Sequence, residues 1–224
     1  AIGEDQFNLR LHHEHGLRSC APELYRYGLH LADEGEAEVA ALARQLDPRV
    51  SWRTVVERLR SEAAPGSDLI GAFRDSVERA RHFLEARDLV TIPEGTLEVV
   101  ETPAFLRPLM PFAAYSPPPA FGPGRNGMFY VTSPRPGEPQ TKGQYSLHEI
   151  AATAVHEAWP GHHLHMLSAR NALSDIRRVS WTPITVEGWA LYCEELMAEQ
   201  GFFASVEERL FQRPFDSDVR VVPA

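Results

Sequence analysis

Five of the chain's ten histidines fall within the twenty-one residues from Ser146 to Met166, and no other stretch constrains the fold as much. It opens like a helix. Ser146 offers an oxygen to free N–H groups and Glu149 stands three positions on, the pattern of a capping box. Ile150, Ala154 and Val155 form an apolar stripe at helical spacing. His156-Glu157 follows. Adjacent His and Glu on a helix begin the pattern in which one side chain holds zinc and the other activates a water. That pattern closes with a second His four positions on, where this chain has Pro160. The next candidates are His162 and His163. In a straight helix six positions span about 9 Å, and zinc holds imidazole nitrogens at about 2.0–2.1 Å. The helix must therefore bend. Pro160 removes a backbone donor and Gly161 tolerates unusual dihedrals. A bulge at Trp159-Pro160-Gly161, inside a helix running to about Arg170, is expected to return His162 toward His156.

The first 95 residues read as helices. Leu24, Tyr27, Leu31, Val39, Leu42 and Leu46 recur at helical spacing over residues 22–46, with Asp47-Pro48 as the stop. Ser51 caps a second helix carrying Val55, Val56 and Leu59. After Pro65-Gly66, Ser67 caps a third that runs to about Ala86. The His12-His13-Glu14-His15 cluster reads as a surface turn. Residues 96–145 change texture. Segments 97–101, 112–115 and 128–131 read as strands; a Pro/Gly loop at 116–124 lies between the last two, and a second at 133–143 leads into the histidine stretch. A loop through Ser180 follows the histidine stretch. Thr182 then caps a helix with Pro183 at its first position. From Gln212 the chain shows no helical pattern. The expected fold is mainly α with a small β-sheet (α+β). It is read as a single domain over 1–224: a helical part (1–95), a small sheet with Pro/Gly loops (96–145) and the helices of the candidate metal site (146–224).

Net charge is −9 with a pI of about 5.6, the opposite of a nucleic-acid footprint. No apolar run is long enough to span a bilayer, and residues 1–6 lack a basic and apolar export signal. No nucleic-acid or membrane partner is expected, and a cytoplasmic location is the reading. The two cysteines, Cys20 and Cys193, read as reduced, buried thiols. The chain begins without Met and ends in an irregular tail, so it reads as part of a longer protein.

His-Glu-Ala-Trp-Pro-Gly-His-His at 156–163 and Val-Glu-Gly-Trp-Ala-Leu-Tyr-Cys-Glu-Glu-Leu at 186–196 resemble the DUF885 family of bacterial proteins. Segments 99–107 and 127–132 also look familial. The resemblance implies a gluzincin-like, zincin-type helical architecture with one Zn2+ per chain. Such a site needs three protein ligands and an open position. His156 is the first, and His162 the second with His163 as rival. Glu187 is the third, thirty-one positions after His156 on a following helix. Glu157 is the general base, taking a proton from the attacking water. Tyr192, Tyr130 and His163 are candidates for donating to the developing oxyanion, with Tyr192 placed among the catalytic groups. Arg125 could pair with a substrate carboxylate; Tyr130 and His163 join it as substrate-binding candidates.

The expected activity is zinc-dependent hydrolysis of peptide bonds, with a peptide as partner. A non-catalytic helical metal-binding or interaction module is the alternative, favoured by the altered spacing of the motif. Glu157 speaks against it, because a purely structural zinc needs no base.

Overall fold

A computed structural model describes residues 2–62, 68–134 and 146–213. The described residues group into two compact units, one of residues 2–55 with Arg213 and one lying within residues 56–212. They divide within a helix near residue 55.

The first unit holds α1 (Glu4–His15), α2 (Ala21–Leu46) and the start of α3 (Trp52–Glu62). The His12–His15 cluster corrects the expected surface turn. It is the last turn of α1, whose acidic start (Glu4, Asp5) and basic end suit the helix dipole. Gly16 closes the helix at φ 67°, a conformation glycine adopts without penalty. Asn8 Oδ1 accepts the Ala21 N–H at 2.7 Å and ties α1 to the start of α2.

The second unit holds the rest of α3, then α4 (Leu69–Arg87), β1 (Thr96–Glu101), β2 (Ala113–Ser116), β3 (Asn126–Val131), α5 (Leu147–Glu157), α6 (His162–Arg170), α7 (Asp175–Val179), α8 (Pro183–Glu199) and α9 (Val206–Gln212). All three expected strands form. They make one sheet in the order β1-β3-β2, with β1 parallel and β2 antiparallel to β3. The order leaves β2 at an edge.

Four sequence expectations need correction or completion. Asp68 caps α4, accepting the Gly71 N–H at 2.8 Å; Ser67 lies outside the described residues. The 133–143 loop lies outside them from residue 135. The region before Ser180 is not all loop but contains α7. An unforeseen α9 starts at a side-chain cap: Ser205 Oγ accepts the Glu208 N–H, and Glu208 Oε2 accepts the Ala204 N–H one residue before the cap.

Helix α5 is the centre of this unit. It is apolar on most sides, with Ile150, Ala151, Ala152, Ala154 and Val155 buried, as a helix enclosed by others must be. It packs against α4, α8 and α9 and touches β2 and α6. The core around it joins Phe73, Val77 and Leu84 of α4, Phe129 and Val131 of β3, and Met197 of α8. Each such side chain contributes roughly 1.5–3 kcal/mol by leaving water. The start of α5 is doubly fixed. Ser146 and Glu149 form the expected capping box, and the Arg60 guanidinium holds Glu149 at 2.9 Å. Both cysteines are free; Cys193 is buried as expected, whereas Cys20, at the start of α2, is only partly so. Among the described residues no helix is long and apolar enough to cross a membrane.

Candidate metal centre

The expected bend is a complete break. Helix α5 stops at Glu157 and α6 starts at His162. Between them the Trp159–Pro160 peptide is cis. The Gly161 N–H turns back to the Val155 carbonyl at 3.0 Å. A Cβ on Gly161 would lie 1.9 Å from the His156 oxygen, so no other residue fits this turn without displacing the chain. Helix α8 braces the break. The Trp189 indole N–H and the Cys193 thiol both donate to the Pro160 carbonyl, at 2.9 and 3.4 Å.

The break brings His162 back. His156 Nε2 lies 3.4 Å and His162 Nε2 3.7 Å from the same carboxylate oxygen, Oε2 of Glu187. The three ligating atoms all fall within 4.8 Å of one another. Ligands about 2.0–2.1 Å from a tetrahedral zinc stand about 3.3 Å apart, so this triangle is slightly wider than a closed zinc site. Two imidazoles and one carboxylate, one ligand short of four, are a donor set that suits zinc. The residues fit the ion.

The polar surroundings set the tautomer of His156. Its Nδ1–H donates to Glu194 Oε1 at 2.8 Å, which leaves the Nε2 lone pair facing Glu187 and His162. Burial pushes the His156 pKa down, but the hydrogen bond and charge of Glu194, helped by Glu157 and Glu187, outweigh it and the net shift is upward. His162 is driven down to about 4 by burial and by the neighbouring His156, so its imidazole is neutral. Glu157 is raised by burial, against the opposing pull of His156 and a hydrogen bond from the Tyr115 N–H at 2.9 Å.

The structure separates the two rivals for second ligand. His163 is fully buried and turns away into the fold. Its Nδ1 shares a 2.9 Å hydrogen bond with the Tyr115 hydroxyl, and its ring stands edge-on to Trp159 at 4.5 Å. It is not among the converging atoms.

The remaining expected residues are not drawn into the cluster. Tyr192 is 57% exposed and its described neighbour is the Trp189 ring. Tyr130 falls on the wrong face of β3. Side chains alternate along a strand, and the face that meets His163 carries Gly127 and Phe129. Arg125 reaches the Asn171 side chain at 3.4 Å. A cleft of about 550 Å³ between α6, α7 and α8 is walled by His165, Arg177, Trp181 and Thr185, and none of the three converging residues lines it.

Two residues at the centre escaped the sequence reading. Glu194 carried a usable signal: it stands seven positions after Glu187, two helical turns along the same face of α8. Tyr115 carried none, since its place comes from the pairing of β2 with β3.

The family described as "Bacterial protein of unknown function (DUF885)" matches residues 1–217. The chain belongs to the DUF885 family. The fold is shared with a solved structure, that of a Colwellia psychrerythraea protein described as a "putative lipoprotein", at a TM-score of 0.80 and 17% identity. The match covers 95% of this chain and 37% of that one, so the DUF885 chain seen here spans a little over a third of that relative's length. No curated protein matches it.

Proposed function

We propose that the chain carries the catalytic centre of a zinc-dependent peptidase. The observation that supports this best is the convergence of His156 Nε2, His162 Nε2 and Glu187 Oε2, with Glu157 next in sequence to the first of them. Zinc held there would supply Lewis acidity, polarising a carbonyl and lowering the pKa of a water toward neutrality.

The protein's own groups carry the rest. Glu157 accepts a proton from the attacking water and returns it to the leaving amine. Burial raises its pKa, which brings it closer to the range where a carboxylate can both take and give a proton near neutral pH. The Tyr115 N–H fixes one of its oxygens. Glu194 keeps the His156 ring in the orientation and tautomer that a metal needs. Peptide as the substrate class is supported by β2. It is an edge strand whose Tyr115 N–H faces Glu157, and an edge strand beside a base gives an extended chain a row to pair with.

The test is Glu157→Gln, assayed on a pool of unstructured peptides with bound zinc measured alongside. Loss of hydrolysis with zinc retained is the expected result. Zinc binding with no hydrolysis by either form would instead fit a metal-binding module without catalysis.

A further inference from the structure

In an uninterrupted zinc-hydrolase helix one backbone sets the first ligand, the base and the second ligand relative to one another. Here the Trp159-Pro160-Gly161 break removes that rigid link, because the base ends α5 and the second ligand begins α6. Something else must hold the two helices in register.

Helix α8 supplies part of that hold, with Trp189 and Cys193 on the Pro160 carbonyl and Glu187 against both His156 and His162. Tyr115 of β2 is a further residue that touches both helices. The main-chain N–H of Tyr115 donates to Glu157 Oε2 at 2.9 Å, on the last residue of α5. Its hydroxyl bonds His163 Nδ1 at 2.9 Å, in the first turn of α6. Its ring lies nearly parallel to that of His162, with centroids 6.5 Å apart. The space is shaped for this: a Cβ on Gly127 would lie 2.7 Å from both His163 Nδ1 and the Tyr115 ring. His163 Nε2 is buried without a partner, so the phenol is the one described hydrogen bond to that imidazole. The orientation of so buried an imidazole is set by that hydrogen bond together with the packing of its ring against Trp159.

We propose that Tyr115 is the positioning residue of the metal centre, linking α5 to α6 through two separate hydrogen bonds and thereby setting His162 against His156. This rests on the metal-centre reading above, and zinc affinity tests it whether or not the chain hydrolyses peptides. The phenol acts through His163 on the turn that carries His162. The N–H acts on the base and survives any side-chain substitution.

Tyr115→Phe removes the hydroxyl alone. Zinc affinity, measured by competition with a chelator, should fall by about tenfold or more, the range typical of losing an outer partner of a metal site. The visible spectrum of the cobalt-substituted protein should shift. His163→Leu should match it, and the double variant should lose no more than either single, because both remove one bond. His163→Asn keeps an amide where Nδ1 stands and should retain affinity within about threefold. A residue that only supported the fold would lower the melting temperature of the metal-free chain and leave zinc affinity and the cobalt spectrum unchanged; that result in Tyr115→Phe overturns the proposal. Zinc uptake with no hydrolysis by the wild type, and weaker uptake in Tyr115→Phe, would sustain the positioning role while refuting the peptidase reading. A wild-type chain that takes up no metal refutes both.

Discussion

Glu194 Oε1 stands 2.8 Å from His156 Nδ1, two helical turns beyond Glu187, so one face of α8 supplies a carboxylate to each nitrogen of the same imidazole. Glu187 is half exposed at the ligand side, whereas the Glu194 side chain is 12% exposed. In the proposed zinc site the pair would divide the work of holding the metal: Glu187 would bind it and Glu194 would orient His156.

Glu194→Gln keeps the shape and replaces the charged acceptor by a neutral one. Zinc affinity should fall about 10- to 100-fold, as for other partners of ligating histidines. Isothermal titration against a competing chelator measures it. An unchanged dissociation constant would remove Glu194 from the centre.

Gly161→Ala tests the break between α5 and α6. A methyl 1.9 Å from the His156 oxygen forces the turn open. Stability should drop by about 2–4 kcal/mol, at the upper end for single substitutions, and zinc binding should be lost with it. Urea unfolding monitored by circular dichroism gives the first figure.

Ser146→Ala removes the cap of α5 and leaves the Glu149 half of the box bound to Arg60. A loss of about 1 kcal/mol is expected, with zinc affinity little changed because the cap is at the far end of the helix from His156. A large loss of zinc affinity would mean that the start of α5, and not its braced end, sets the ligands.

Zinc should stabilise the chain by mass action. At about a hundred times its dissociation constant the gain is about 2.7 kcal/mol. Differential scanning fluorimetry with and without a chelator should show a rise in melting temperature with zinc, abolished in His162→Ala and retained in His163→Asn.

The sequence carried the local chemistry further than the tertiary placement. Ser146, Thr182 and Pro183 mark helix starts because capping is a contact between near neighbours, and each start was legible. The need for a bend after Glu157 followed from helix geometry and the reach of one metal, but the full break between α5 and α6 did not. The same geometry would have singled out Glu194 from its spacing to Glu187. By contrast, the choice of His162 over His163 depends on which imidazole is buried against Trp159 and Tyr115, a matter of packing. Tyr130 stands one position along β3 from Phe129, and a step of one exchanges the faces of a sheet, which the strand pattern alone does not assign. The helices α1 and α9 were missed for another reason. Neither has a strong apolar stripe, and only the Ser205–Glu208 cap announced the second.

The most direct measurement is the zinc content of the purified chain by elemental analysis, beside His156→Ala and Glu187→Ala. About one zinc per wild-type chain, absent from both variants while they stay folded, is the predicted result. A folded wild-type chain without metal after incubation with excess zinc, or zinc retained in both variants, would contradict it.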